Sequence, residues 1–162
     1  MFNKMLPQRI DNTYRGRKLA LWLFALVVIV KILQCLMVIF NGDFIVRSAD
    51  GIPLDTYTPA GAQTVLAIWA LLGLERLIMF LLCVLVLVRY RSVVAFMLAL
   101  LALEYLARQL ILYFVPLVRT GTPVGPIVNL ILFCLTIVGL ALSLWKQRDL
   151  GAQDVPVTLP RR

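Results

Sequence analysis

The sequence predicts an all-α membrane protein, an antiparallel bundle of four transmembrane helices. Three observations carry this. Apolar residues make up 62% of the 162-residue chain and mean hydropathy is +0.94, against an apolar share of roughly 45–50% in soluble domains. The apolar residues fall into four blocks, each near the roughly 17–25 residues a helix needs to cross the hydrocarbon. Basic residues gather at the ends of those blocks, where a membrane protein declares its topology.

Residues 1–18 are polar and basic, with Pro7 and Gly16 breaking any long helix. They look like the start of a signal sequence, but the apolar run 19–40 exceeds the roughly 7–15 residues of a signal core. It ends in Phe40-Asn41-Gly42-Asp43, without the small residues of a cleavage site. A retained first span is expected, with Trp22 as an interfacial anchor. Residues 41–63 form a sizeable extracytoplasmic loop, in which Phe44 to Leu54 reads as a small β-ribbon around Asp50-Gly51, with Pro53 on an edge strand. The bundle domain is residues 19–145, and its remaining spans are expected at 64–88, 92–115 and 127–145. A basic turn, Arg89-Tyr90-Arg91, joins the second to the third. Pro116 closes the third, and the Gly/Pro-rich loop 117–126 leads to the fourth. Residues 146–162, with two prolines, read as a disordered basic cytoplasmic tail.

Orientation follows from counting Lys and Arg. Eleven lie in the N-terminal segment (Lys4, Arg9, Arg15, Arg17, Lys18), the 2–3 turn (Arg89, Arg91) and the tail (Lys146, Arg148, Arg161, Arg162). The two opposite loops hold only Arg47 and Arg119. This bias puts both termini in the cytoplasm, and a bacterial inner (plasma) membrane is the expected location. The clusters at Arg15, Arg17 and Lys18, at Arg89 and Arg91, and at Lys146 and Arg148 are topology determinants or contacts to anionic lipid. A net charge of +8 placed this way faces a membrane surface, so no nucleic-acid partner is expected.

Several residues break the apolar blocks. A charge near the bilayer centre costs roughly 2.5–3.5 kcal/mol on insertion scales and normally faces protein, water or a partner charge. At about 1.5 Å of rise per residue, Lys31, Glu75, Arg76 and Glu104 each sit about 18–20 Å above the cytoplasmic ends of their helices. Arg108 and Asn129 follow at about 24 Å. Glu104 and Arg108 are spaced i,i+4 and suited to pairing, with Gln109 beside them. Lys31 and Gln34 share a face of the first span. Asn129, Thr136 and Ser143 recur every seven residues on the fourth, beside Gly139, as a helix-facing stripe does. Ala67, Ala70 and Gly73, and Ala95, Ala99 and Ala102, permit close backbone approach.

The predicted layer pairs Lys31, Arg76 and Arg108 against Glu75 and Glu104, one positive charge in excess. Either Lys31 is neutral, or an anion, a lipid headgroup or a partner carboxylate completes the set. Adjacent Glu75 and Arg76 point about 100° apart on a helix, so one of them is expected to look outward, toward a second copy or another protein.

The chain has no histidine, which removes the commonest metal ligand and near-neutral base. Cys35, Cys83 and Cys134 stand singly in apolar runs and read as buried small hydrophobes. Neither HExxH nor GxSxG occurs. No enzyme activity, catalytic residue, metal or cofactor is expected. The favoured reading is an accessory, assembly or scaffold subunit whose charge network engages another membrane protein or a second copy. A small transporter or proton-conducting oligomer is the alternative, and a lipid-binding protein a further one; membrane lipids are partners in every case.

Overall fold

The computed structural model describes Tyr14 and residues 17–150, except for the side chains of 146–150. All regular structure among the described residues is helical. Four helices are long and apolar enough to cross a membrane: α1 (Lys18–Phe40), α2 (Pro59–Arg89), α3 (Val94–Phe114) and α4 (Val124–Leu150).

Their boundaries have local causes. α1 contains neither Gly nor Pro and stops where Asn41 leaves helical geometry (φ −134°, ψ 42°). α2 starts ahead of the expected residue 64, because Thr58 caps it and Pro59 occupies its first turn. The Thr58 hydroxyl oxygen accepts from the Gly61 N–H at 3.2 Å, filling one of the donors a helix start leaves open. A 3₁₀ turn, Arg91–Val93, carries the chain into α3. α3 ends at Val115 (φ −126°, ψ 80°), since the residue before a proline is pushed out of the α region. α4 runs on through Leu150, so the expected tail begins as helix; residues 151–162 lie outside the described residues, as do most of 1–18.

The expected β-ribbon is not there. Gly42–Phe44 form a helical turn that continues as a π-helical turn, Ile45–Ala49. Two local bonds explain it. Arg47 Nε donates to Asp43 Oδ1 at 2.9 Å, and the Ser48 hydroxyl donates to the Phe44 carbonyl. Both span four residues, a helical spacing that competes with strand pairing. Asp50-Gly51 is a stop signal rather than a hairpin: Gly51 sits at φ +70°, and the Ile52 N–H reaches back to the Val46 carbonyl at 2.9 Å.

Two apolar clusters hold the molecule. The larger gathers Phe24 and Val28 of α1, Phe80, Cys83 and Val86 of α2, and Val94, Met97, Leu98 and Leu101 of α3. The smaller, Val46, Ile52 and Leu54, packs the 41–58 segment onto Leu66 and Trp69 of α2. The first and third connections meet there, where the Gly51 carbonyl accepts from the Thr120 N–H at 2.7 Å. Cys35 and Cys83 are buried as expected, whereas Cys134 is exposed on the outer face of α4.

Packing between helices is uneven. α1 lies along α2 and α4, and α4 along α3. Tyr105 of α3 stacks on Phe133 of α4 with ring centroids 4.4 Å apart. α2 and α3, although consecutive, touch only sparingly. Their shared residues belong to the large cluster near the turn that joins them, which leaves the other half of the bundle unfilled.

Candidate functional site

Between the two apolar clusters lies a cavity of about 530 Å³, within the range of small-molecule sites. Residues three or four apart on each helix line it, so one face per helix turns inward. These are Lys31, Gln34 and Val38 on α1; Trp69, Gly73, Arg76 and Phe80 on α2; and Glu104, Arg108 and Ile111 on α3. Asn129 of α4 and Asp50 of the first connection close it. The remaining wall is largely aliphatic, including Leu33, Met37, Leu72, Leu112 and Leu117.

Of the predicted polar layer, Lys31, Gln34, Arg76, Glu104, Arg108 and Asn129 thus share one site. Lys31 Nζ donates to Asn129 Oδ1 at 2.6 Å, tying α1 to α4. This is a charge-assisted bond of the shorter, stronger kind. Across the cavity Trp69 Nε1 donates to Asp50 Oδ2 at 2.9 Å. That bond pins the first connection to α2 and leaves the second carboxylate oxygen of Asp50 available.

Glu104 and Arg108, expected to pair, do not. The ion pairs among the described residues are those of Arg47 with Asp43 and Asp55, outside the bundle. Neither Arg76, Arg108 nor Glu104 has a hydrogen-bonding or ionic partner among the described residues. The i,i+4 spacing permits a pair without enforcing one, and here both residues border the cavity, Arg108 partly buried and Glu104 exposed.

Other predicted members lie elsewhere. Glu75 is exposed on the outer face of α2, as its 100° offset from Arg76 requires. Gln109 is exposed as well, its amide donating to the Tyr105 hydroxyl at 2.8 Å on the same helix. Thr136 is buried and donates to the Leu132 carbonyl at 2.8 Å. It borders a second cavity of about 20 Å³ beside Lys31, Glu104 and Asn129, large enough for one water.

Asp50 and Trp69 escaped sequence reasoning. In sequence Asp50 reads as part of a hairpin turn with Gly51. Trp69 shares a helical face with Gly73, Arg76 and Phe80, and that periodicity was the available signal. With Asp50 in and Glu75 out, the cavity still holds three cations (Lys31, Arg76, Arg108) against two carboxylates (Glu104, Asp50).

Of the basic residues named as topology or lipid contacts, Arg17, Lys18, Arg89 and Arg91 gather at the end opposite the 41–58 segment. Arg17 sits 5.9 Å from the centre of the Trp145 ring, which brings the start of α1 to the far end of α4. Lys18 and Arg89 are exposed, and Arg91 Nε donates to the Leu87 carbonyl at 3.1 Å. Arg15 and the side chains of Lys146 and Arg148 lie outside the described residues.

Comparison with family models, with curated proteins and with solved structures gives no match.

Proposed function

We propose that this chain is a non-enzymatic integral membrane protein that binds an amphiphilic molecule of the bilayer in its central cavity. The observation that carries the reading is the cavity itself. A helix bundle this small normally fills its interior with side chains. Here aliphatic wall and unpaired charged groups face a common space, on the side where α2 and α3 barely touch. Aliphatic residues suit an acyl or prenyl chain, and the polar row suits a headgroup.

The proposal includes an antiparallel four-helix arrangement with both termini in the cytoplasm of a bacterial inner membrane. Contact pairs support the antiparallel arrangement, since partner numbers fall on one helix as they rise on the other. Along α1 and α4, Leu23 lies by Gly139 and Lys31 by Asn129. The grouping of Arg17, Lys18, Arg89 and Arg91 at one end supports the orientation, by the same excess of cations that marks cytoplasmic ends.

A second reading, engagement of another membrane protein as an accessory or scaffold subunit, is favoured by Glu75. Its carboxylate stands on the outer face of α2, about 20 Å from the basic end of that helix. There it is costly unless a partner group meets it.

Gentle extraction followed by native mass spectrometry of the intact complex separates the two. The expected result is a monomer or homo-oligomer carrying lipid in stoichiometric amount. A stoichiometric second protein with no bound lipid would overturn the proposal in favour of the accessory role.

A further inference from the structure

We infer that the amphiphile enters the cavity with an anionic headgroup, a phosphodiester carrying one negative charge, held between Arg76 and Arg108. This rests on the proposal that the cavity takes an amphiphile, and adds which headgroup chemistry it selects.

The argument begins with the charge balance. Lys31, Arg76 and Arg108 line the cavity against Glu104 and Asp50, so a ligand with one negative charge brings this set to neutrality. In a low-dielectric interior an uncompensated charge is the costly state. A zwitterionic head leaves the excess as it was, and a cationic head increases it.

The partners already taken narrow the place of binding. Lys31 is engaged by Asn129, and Asp50 by Trp69. The two guanidinium groups and the Glu104 carboxylate remain without partners among the described residues. Guanidinium forks match the oxygens of a phosphate and are less strongly hydrated than an ammonium, so they suit anion binding away from bulk water. Arg76 and Arg108 reach the cavity from α2 and α3, the helices that barely touch. A bridging phosphate would supply the link the protein lacks there. Glu104, one turn below Arg108 on α3, disfavours a second negative charge on the head.

The test uses Trp69, which lines the cavity, as the reporter. Trp22 and Trp145 are 74% and 63% exposed, so Trp22→Phe with Trp145→Phe leaves Trp69 as the remaining tryptophan at little structural cost. The variant is reconstituted in phosphatidylcholine vesicles containing a small fraction of lipid with brominated chains, which quench nearby indole. Brominated phosphatidylglycerol is expected to associate on the order of tenfold more strongly than brominated phosphatidylcholine, the ratio of a single favourable charge-assisted contact. Arg76→Gln and Arg108→Gln should each bring that ratio toward one. Glu104→Gln should raise it, and should make dianionic phosphatidic acid a better ligand.

Strong but equal quenching by both lipids overturns the headgroup inference while leaving the amphiphile site standing. Absence of quenching above that of an exposed Trp22 overturns both. Should the arginine variants fail to fold, the parent's ratio and the response to Glu104→Gln decide by themselves. Dimethyl phosphate, the same head without chains, distinguishes the source. If millimolar amounts raise the melting temperature of lipid-free protein, the phosphodiester chemistry stands and belongs to a solute. If they do not, while the lipid ratio holds, it belongs to the bilayer.

Discussion

Replacing Asn129 by leucine removes the acceptor that meets Lys31 Nζ at 2.6 Å and leaves an ammonium facing the cavity without it. Interhelical hydrogen bonds in membrane proteins average about 0.6 kcal/mol and reach about 1.7, while bonds to charged groups in proteins run about 1.5–3. Lys31 is only partly enclosed and borders the cavity, which places the expected loss near the lower end of the charged range, about 1.5 kcal/mol. That is about tenfold in the folding equilibrium. Lys31→Met should cost less, because a neutral amide left behind is cheaper than a stranded charge. The double variant, Lys31→Met with Asn129→Leu, replaces both partners by apolar groups of similar length and should recover most of the loss. The coupling energy of the cycle is then expected at about 1 kcal/mol, within the range for groups in contact. Reversible unfolding in mixed detergent–SDS micelles, followed by far-UV circular dichroism, gives the three differences. An additive cycle would refute the reasoning, since it means that the 2.6 Å contact carries no energy of its own.

Two further outcomes are expected. A side chain at Gly73 would meet Val38 Cγ1 at 3.1 Å and Ile39 Cγ1 at 3.2 Å from its first carbon, so Gly73→Leu should overpack α1 against α2 at about 1–3 kcal/mol. Gly73→Ala should cost clearly less in the same unfolding assay, and equal stability of all three proteins would deny the close approach. At the basic end, the Tyr14 hydroxyl donates to Ser143 Oγ at 3.2 Å, and burial raises its pKa above the ordinary 10.0. A raised folded pKa means stability present below pH 10 and lost as pH rises toward the folded value. The melting temperature should therefore fall more steeply above pH 10 in the parent than in Tyr14→Phe, and parallel curves would remove Tyr14 as the cause.

Much of the architecture was legible in one dimension because its causes are local. Hydrocarbon thickness sets the length of an apolar run and charge asymmetry marks its ends, so four helices and the basic turn at Arg89–Arg91 could be read directly. Helical rise likewise put Lys31, Arg76, Glu104, Arg108 and Asn129 near one level, and these five with Gln34 are all the charged or amide side chains that the helices bring to the cavity, Asp50 of the first connection being the addition. The offset between Glu75 and Arg76 is a property of the helix alone, but which of them turns inward depends on how α2 packs against α1. The contact of Gly73 with Val38 and Ile39 rotates Arg76 to the cavity and Glu75 outward.

The first connection marks the limit from the other side. Its alternating Phe44-Ile45-Val46-Arg47 pattern suggested strands, yet Asp43, Arg47 and Ser48 bond at helical spacing, and only one side chain of that run, Val46, needed burial. Folding then carried Asp50 onto Trp69, so a loop residue supplied the carboxylate that Glu75 was expected to provide. The cavity itself has no sequence signature. It is the volume left where α2 and α3 part, and a void is decided by the fit of side chains from distant segments rather than by the pattern within any one of them. Composition and helical period determined which helices are long and apolar enough to cross a membrane and at which height along them the charges lie; tertiary packing decided which charges meet, because facing is a relation between helices.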